Sequence, residues 1–577
     1  MVRGRVSPRL AHSIGAAMFL SSLVSGSIIT TTNTCNLNST VVWQSDCSAF
    51  GYPSINSSVA DCGTIRLPAD YTNCSAGVID FAVARKKATL TPKLGTIFTN
   101  PGGPGLAGVQ FLLENVPDMV NKTGGHYDVV SWDPRGVGYT SLLIDCYADA
   151  AEQAEYIGNG TIMANAGPEA FNNFTNPVTH QDPDEIRFWS QLNVTDTSIT
   201  RIGQLCLSKN GDNLKYVGTV ATVKDILAMA DALVGVGSKV DYYGISYGTI
   251  VGSYLLNIFP ERAGKVILDG VVNPVLWAAE QQYKLWGYQI ADTPSVLAKF
   301  AQSCAEVGPT YCAIAQANST QESILTWIQQ ELMNRAFQLY DPVNFPDSLP
   351  SSLVRAHIFG GLYSSEDFAS FGQELALLKT QIDGEVAQET NGTSTNTTSL
   401  QARRPSRMSV GSRLRKRTDD SSTFDSVQQA VACADAVDPG NTTTVDVFNS
   451  IIATASNVSQ LLGPVWDFSY YCHKWPARAV ERYTGPWNAT LTQPALLISN
   501  TFDNISPLKG AELVAEMLGS SAVLLKRDGY GHSSLADGSP CTDAAIAAFY
   551  TNGSYPAAGT VCPTDTNYFN ITTTASR

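Results

Sequence analysis

The chain has 577 residues, with 44% hydrophobic, 15% charged and a formal net charge of −14. That is long enough for a large core with one sizeable inserted domain rather than a string of small ones. The acidic balance and the lack of a basic aromatic stripe argue against a nucleic-acid partner.

The first residues read as a secretory signal, 1–26: Arg3, Arg5 and Arg9 form a basic lead, Ile14 to Val24 is apolar, and Ser25-Gly26-Ser27 offers small residues for cleavage. The apolar stretch is too short and too rich in Ser and Gly for an anchor, and no later segment suits a bilayer span, so no stable membrane association is expected. Twelve cysteines, none in the signal and none in a C-x-x-C pair, point to disulfides rather than zinc. N-x-S/T sequons recur from Asn38 to Asn488, as on a glycosylated surface. A secreted, extracellular protein is expected, with a vacuole or another secretory-pathway lumen as the alternative.

After an N-terminal segment with the first strands (27–93), an α/β core begins at 94 and runs to 274. Gly77 to Ala88 alternates as a strand; Leu94 to Thr99 and Tyr127 to Trp132 are short buried-strand runs, with a helix between them over Val109 to Val120. The first of those runs ends in Asn100-Pro-Gly-Gly-Pro-Gly105, the second in Asp133-Pro-Arg-Gly-Val-Gly138. Thr222 to Val234 reads as a helix, and Lys265 to Gly270 as a further strand. From 275 to 487 helical patterns dominate, at Ile324 to Leu339, Phe368 to Ile382 and Val445 to Leu462, and predict an inserted helical cap. Within it 391–423 lacks apolar periodicity and predicts disorder; Arg413-Leu-Arg-Lys-Arg417 is either a dibasic processing site or a solvated loop. The core resumes over 488–577 with strands at Pro494 to Ser499 and Ala522 to Lys526. This alternation predicts an α/β class: a mostly parallel sheet covered on both faces by helices, with the helical cap inserted.

The chemistry sits between Val240 and Leu255. A β-rich run ends in Gly244-Ile245-Ser246-Tyr247-Gly248, and an apolar helical run follows. A serine on such a bend is strained, exposed and placed at a helix N-terminus, which suits a nucleophile. The pentapeptide alone is weak evidence, and a glycine-rich loop would explain it equally well. Its partners decide. In a sheet of this kind the acid and base follow later strands in the order Ser, Asp, His. Of six histidines only His532, after the last strand, fits; Asp503 follows the strand before it, with Asp528 as the fallback acid. The oxyanion donors expected are the N–H groups of Tyr247 and of Gly103, with Gly102 next. No metal or cofactor is required.

These motifs, with Leu268-Asp-Gly-Val-Val-Asn-Pro274 and the cap segments Ala432-Cys-Ala-Asp435 and Tyr471-Cys-His-Lys-Trp475, resemble the tripeptidyl aminopeptidase branch of the α/β-hydrolase fold. The resemblance spans about Cys62 to Cys562. It implies a secreted serine exopeptidase that removes short peptides or single residues from free N-termini. Two departures stand out: Pro101 replaces the His of prolyl enzymes, and Ser506 replaces the usual Thr.

An exopeptidase also needs carboxylates for the substrate ammonium, and Glu280, Glu366, Asp367 and Asp435 are the cap candidates. The same triad would serve an esterase or lactonase acting on a small acyl substrate. Connectivity of the cysteines is not readable from spacing alone; Cys146–Cys206, Cys304–Cys312, Cys433–Cys472 and Cys541–Cys562 are the candidate pairs.

Overall fold

A computed structural model describes residues 35, 39–44, 47–48, 59–157, 188–339, 351–391, 421–465 and 468–569. The expected signal segment and the basic Arg413–Arg417 run lie outside these residues. So does most of the segment expected to be disordered; its ends, Asn391 and 421–423, are helical.

Ten strands form one sheet: β1 (Val42–Gln44), β2 (Asp61–Pro68), β3 (Val78–Lys86), β4 (Gly95–Asn100), β5 (Tyr127–Trp132), β6 (Val240–Ile245), β7 (Ala263–Asp269), β8 (Ala495–Phe502), β9 (Ala522–Tyr530) and β10 (Val561–Pro563). Their order is β1-β2-β3-β5-β4-β6-β7-β8-β9-β10. The first three strands and the β3–β5 pair are antiparallel; from β5 to β10 every pairing is parallel.

The central strands are short, nearly continuous apolar runs because both faces are covered. Alternate residues enter two separate cores. Phe98, Tyr242, Leu268 and Leu497 join one, whereas their neighbours Ile97, Tyr243, Ile267 and Ile498 join the other. The first face carries the helices Thr219–Leu233, Tyr247–Ile258 and Leu508–Leu518; Gly108–Glu114 and Pro540–Asn552 pack on the second.

The chain leaves β4 for β5 on one side and returns to β6 on the other. In an open parallel sheet such a reversal opens a crevice at the carboxyl ends of the strands. The loop after β4 and the serine bend after β6 therefore lie side by side, with Asn100 paired to Gly244.

Between β7 and β8 the described residues are mainly helical. The stretch Ile324 to Leu339 is not one regular helix: a π-helical segment, Ile328–Asn334, separates the helices Gln321–Trp327 and Arg335–Leu339. Helices not foreseen from the pattern run over Ser351–Gly360 and Ser421–Asp435. No described helix is long and apolar enough to cross a membrane.

All twelve cysteines pair. The four expected bridges form, joined by Cys35–Cys74 and Cys47–Cys62. Six bridges fit an oxidising compartment. Cys433–Cys472 and Cys304–Cys312 lie in the cap, and Cys541–Cys562 ties the last helix to β10.

Candidate active site

Ser246 stands at the N-cap of the helix Tyr247–Ile258 with φ 59° and ψ −126°. Positive φ costs a non-glycine residue about 1–2 kcal/mol, so the surroundings must hold it. They do so with three hydrogen bonds: the Ser246 N–H donates to Asp269 O at 3.0 Å, and the Thr249 N–H and hydroxyl donate to Ser246 O at 2.8 and 2.6 Å. The flanking glycines permit the bend by close approach. A Cβ on Gly244 would lie 2.2 Å from Gly248 O, and one on Gly248 would lie 2.5 Å from Asn100 O.

The loop after β4 presses against this bend. A Cβ on Gly102 would sit 2.5 Å from Ile245 O and 2.8 Å from Tyr247 N, so only glycine lets the two backbones meet. The Gly102 N–H itself donates to Asn100 Oδ1 at 2.9 Å and is engaged. Neither the Gly103 N–H nor the Tyr247 N–H, the first of its helix, finds an acceptor among the described residues. Of the two glycines expected as oxyanion donors, the geometry leaves Gly103 free.

Asp503 and His532 meet across the loops that follow β8 and β9. The His532 Nδ1 lies 3.1 Å from each Asp503 carboxylate oxygen. Asp503 is fully buried and also accepts the N–H groups of Ile505, Ser506 and Ser533 at 2.8–2.9 Å. Burial alone would raise its pKa, but the His532 ring and these N–H groups hold it below the usual carboxylate value. The His532 Nε2 is buried and has no hydrogen-bond partner among the described residues. One cavity is lined by Ser246, Tyr247, Gly103 and His532 together. The fallback acid, Asp528, makes no bond to His532.

Three contacts here carried no weight in the sequence reading. The Ser506 hydroxyl donates to Asp503 Oδ2 at 2.9 Å and lies 3.1 Å from His532 Nδ1, so the departure from Thr stands inside the acid–base pair. Its position three residues beyond Asp503 was the available signal. Arg527 and Asp537, both fully buried, form an ion pair at 2.8 Å; Arg527 also bonds Ser533 O, beside His532. From the cap, Tyr363 O accepts the His532 N–H at 2.7 Å. Arg135 of the Asp133–Gly138 loop is structural: it is buried against Asp225 at 2.6 and 2.7 Å.

The four cap carboxylates are not brought to the serine. Glu280 pairs with Lys284 at 2.8 Å on the surface. Glu366 and Asp367 belong to a turn whose Glu366 N–H docks on Ala536 O, and neither lines the cavity. Asp435 is buried outside the cavity, accepting the Thr219 N–H and the Trp277 Nε1–H at 2.8 Å each and also the Thr219 hydroxyl. Burial pushes its carboxyl up despite those donors. No described residue lining the cavity carries a carboxylate, ammonium or guanidinium group.

Residues 96–308, which contain Ser246, match the α/β hydrolase fold family, and residues 459–562, which contain Asp503 and His532, match the family described as TAP-like protein. The chain is a serine hydrolase of the α/β-hydrolase fold whose C-terminal part matches TAP-like proteins. Serine protease Hip1 of Mycobacterium tuberculosis is 25% identical over 520 residues, 87% of each chain. Tripeptidyl aminopeptidase of Streptomyces lividans is 30% identical over 217 residues, covering 37% of this hydrolase and 35% of the Streptomyces protein. Carboxylesterase B of M. tuberculosis is 24% identical over 535 residues, covering 90% and 89%. This serine hydrolase thus has both peptidases and an esterase among its relatives.

Proposed function

We propose that the hydrolase is an exopeptidase that releases short peptides from free N-termini through an acyl-enzyme on Ser246. His532 Nε2 takes the Ser246 proton as Oγ attacks the scissile carbonyl. Asp503 holds Nδ1 and stabilises the imidazolium that forms. The N–H groups of Tyr247 and Gly103 bind the oxyanion. His532 then passes its proton to the leaving amine, and water, activated by the same ring, hydrolyses the ester to free Ser246. The observation that carries this reading is the free Nε2 of an Asp503-held His532, bordering the cavity into which the strained Ser246 bend opens.

Short peptides are favoured over single residues. A single released residue would carry its ammonium on the carbon next to the scissile carbonyl, inside a cavity whose described lining offers no opposite charge. In a tripeptide the ammonium stands two residues further out, about 7 Å away at extended-chain spacing, where it can reach beyond that lining. The tripeptidyl aminopeptidase among the relatives supports this choice.

The second reading is an esterase on small uncharged acyl groups, favoured by the same neutral lining and by the carboxylesterase relative. Peptide amides with free and acetylated N-termini, assayed beside simple esters, separate the two. Turnover that disappears on acetylation supports the exopeptidase; rapid ester cleavage with no peptide turnover replaces it with the second reading.

A further inference from the structure

The described cavity lining sets uncharged polar side chains, among them Gln282, Gln289 and Gln428, beside a larger apolar wall whose tryptophans turn their polar edges elsewhere. Trp286 donates its Nε1–H to Gly463 O at 2.9 Å, and Trp277 donates its own to Asp435 at 2.8 Å. Both indoles are therefore satisfied outside the cavity and present ring carbon to it. Trp286 is packed edge-on against Phe359, with ring centroids 5.4 Å apart. Leu285, Val465 and Ile505 add aliphatic surface. Apart from Ile505, from the acid loop, these residues come from the cap side, and Trp277, Trp286, Phe359 and Val465 are each at most 5% exposed.

An exopeptidase closes this cavity over the acyl part of its substrate, because the leaving chain must run on into solvent. We infer that the cavity selects the acyl group by the side chain next to the scissile carbonyl, and that this side chain is bulky, uncharged and apolar, of the Phe or Leu kind. This rests on the Ser246 acyl-enzyme reading. The physical reason is twofold. A large apolar side chain removes its own surface and that of the indoles from water. A charged one would lose its hydration without gaining an opposite charge from the described lining.

The test uses the full-length protein and two matched series: Ala-Ala-X aminomethylcoumarin amides and 4-nitrophenyl esters of the same acyl groups, with X as Phe, Leu, Ala, Lys or Asp. For Phe and Leu, kcat/KM should exceed that for Ala by at least about tenfold and that for Lys or Asp by about a hundredfold. Gln289→Glu, which places a carboxylate in the lining without a change of size, should narrow the Phe-over-Lys ratio. A Lys or Asp substrate within about threefold of Phe would overturn the inference, as would a Phe-over-Lys ratio untouched by Gln289→Glu. Failure of the underlying reading looks different: turnover that persists in Ser246→Ala, or no turnover in either series, refutes the acyl-enzyme itself. Loss of the amide series alone leaves the acyl order to be read from the esters.

Discussion

The main-chain carbonyl of Tyr363 accepts the His532 N–H at 2.7 Å, and the two rings meet edge-on with centroids 5.5 Å apart. Tyr363 belongs to the cap and His532 to the sheet edge, so the cap both roofs the cavity and braces the base. Ser364 extends this contact through a bridge to Gly531 and a hydroxyl bond to Ala536 O. Tyr363→Ala should lower kcat about tenfold, since the ring contact is of the 0.5–1.5 kcal/mol kind, with a smaller change in KM. Tyr363→Phe should restore it. Steady-state kinetics on both variants check this; a purely KM effect would make Tyr363 a cavity wall alone.

Ser506 shares its hydroxyl between Asp503 and His532. Ser506→Ala removes one bond from a buried carboxylate and should cost about 1–3 kcal/mol of the geometry that orients the ring. Ser506→Thr keeps the hydroxyl and should stay close to the parent. A comparison of kcat across pH for the three proteins measures this, with the acidic limb of Ser506→Ala displaced upward because Asp503 loses a donor that favours its charged form.

Asp292, at the start of the cap helix Thr293–Val307, has a carboxyl pushed up to about 6 by burial and by the Asp503 charge, against the opposing pull of Lys509 and of the Leu508 and Asp503 N–H groups. The folded state thus holds this proton more tightly than the unfolded chain. Stability tied to Asp292 is greatest at low pH and falls as pH rises from about 4 to 6. Asp292→Asn should therefore raise Tm at neutral pH, with the gain shrinking towards pH 4. Asp503 works in the opposite sense. Its carboxyl is held low, so its contribution is complete above its unfolded value and is lost as pH falls through the folded one. Thermal melts from pH 4 to 8 separate the two.

Asp435 stands as an internal acceptor. Asp435→Ala strands the Thr219 N–H and the Trp277 Nε1–H, each at a cost of about 1–3 kcal/mol, and should lower Tm clearly. The ratio of turnover on free and acetylated substrates should not change. A selective loss on free amines would return Asp435 to the role of ammonium partner.

The placement of the triad candidates was legible because each follows its own parallel strand, so chain order becomes order along the sheet edge. Tyr127 to Trp132 was readable to the residue, being an apolar run closed by Asp133-Pro134. The cap carboxylates were not, since their environment is set by residues remote in sequence. Asp435 looks like a charge awaiting a ligand until Thr219, 216 residues away, and Trp277, 158 away, are seen to saturate it. Tyr363 was invisible for a different reason: its bond to His532 uses a backbone carbonyl, which leaves no trace in residue identity. The strands β1 and β10, three residues each, are too short for their alternation to register.

The most direct measurement is intact-protein and peptide mass spectrometry after exposure to a fluorophosphonate. A single adduct on the peptide that carries Ser246, absent in Ser246→Ala and strongly slowed in His532→Ala, is the expected result. An unlabelled protein, or a label on another residue, would contradict the assignment of Ser246 as nucleophile.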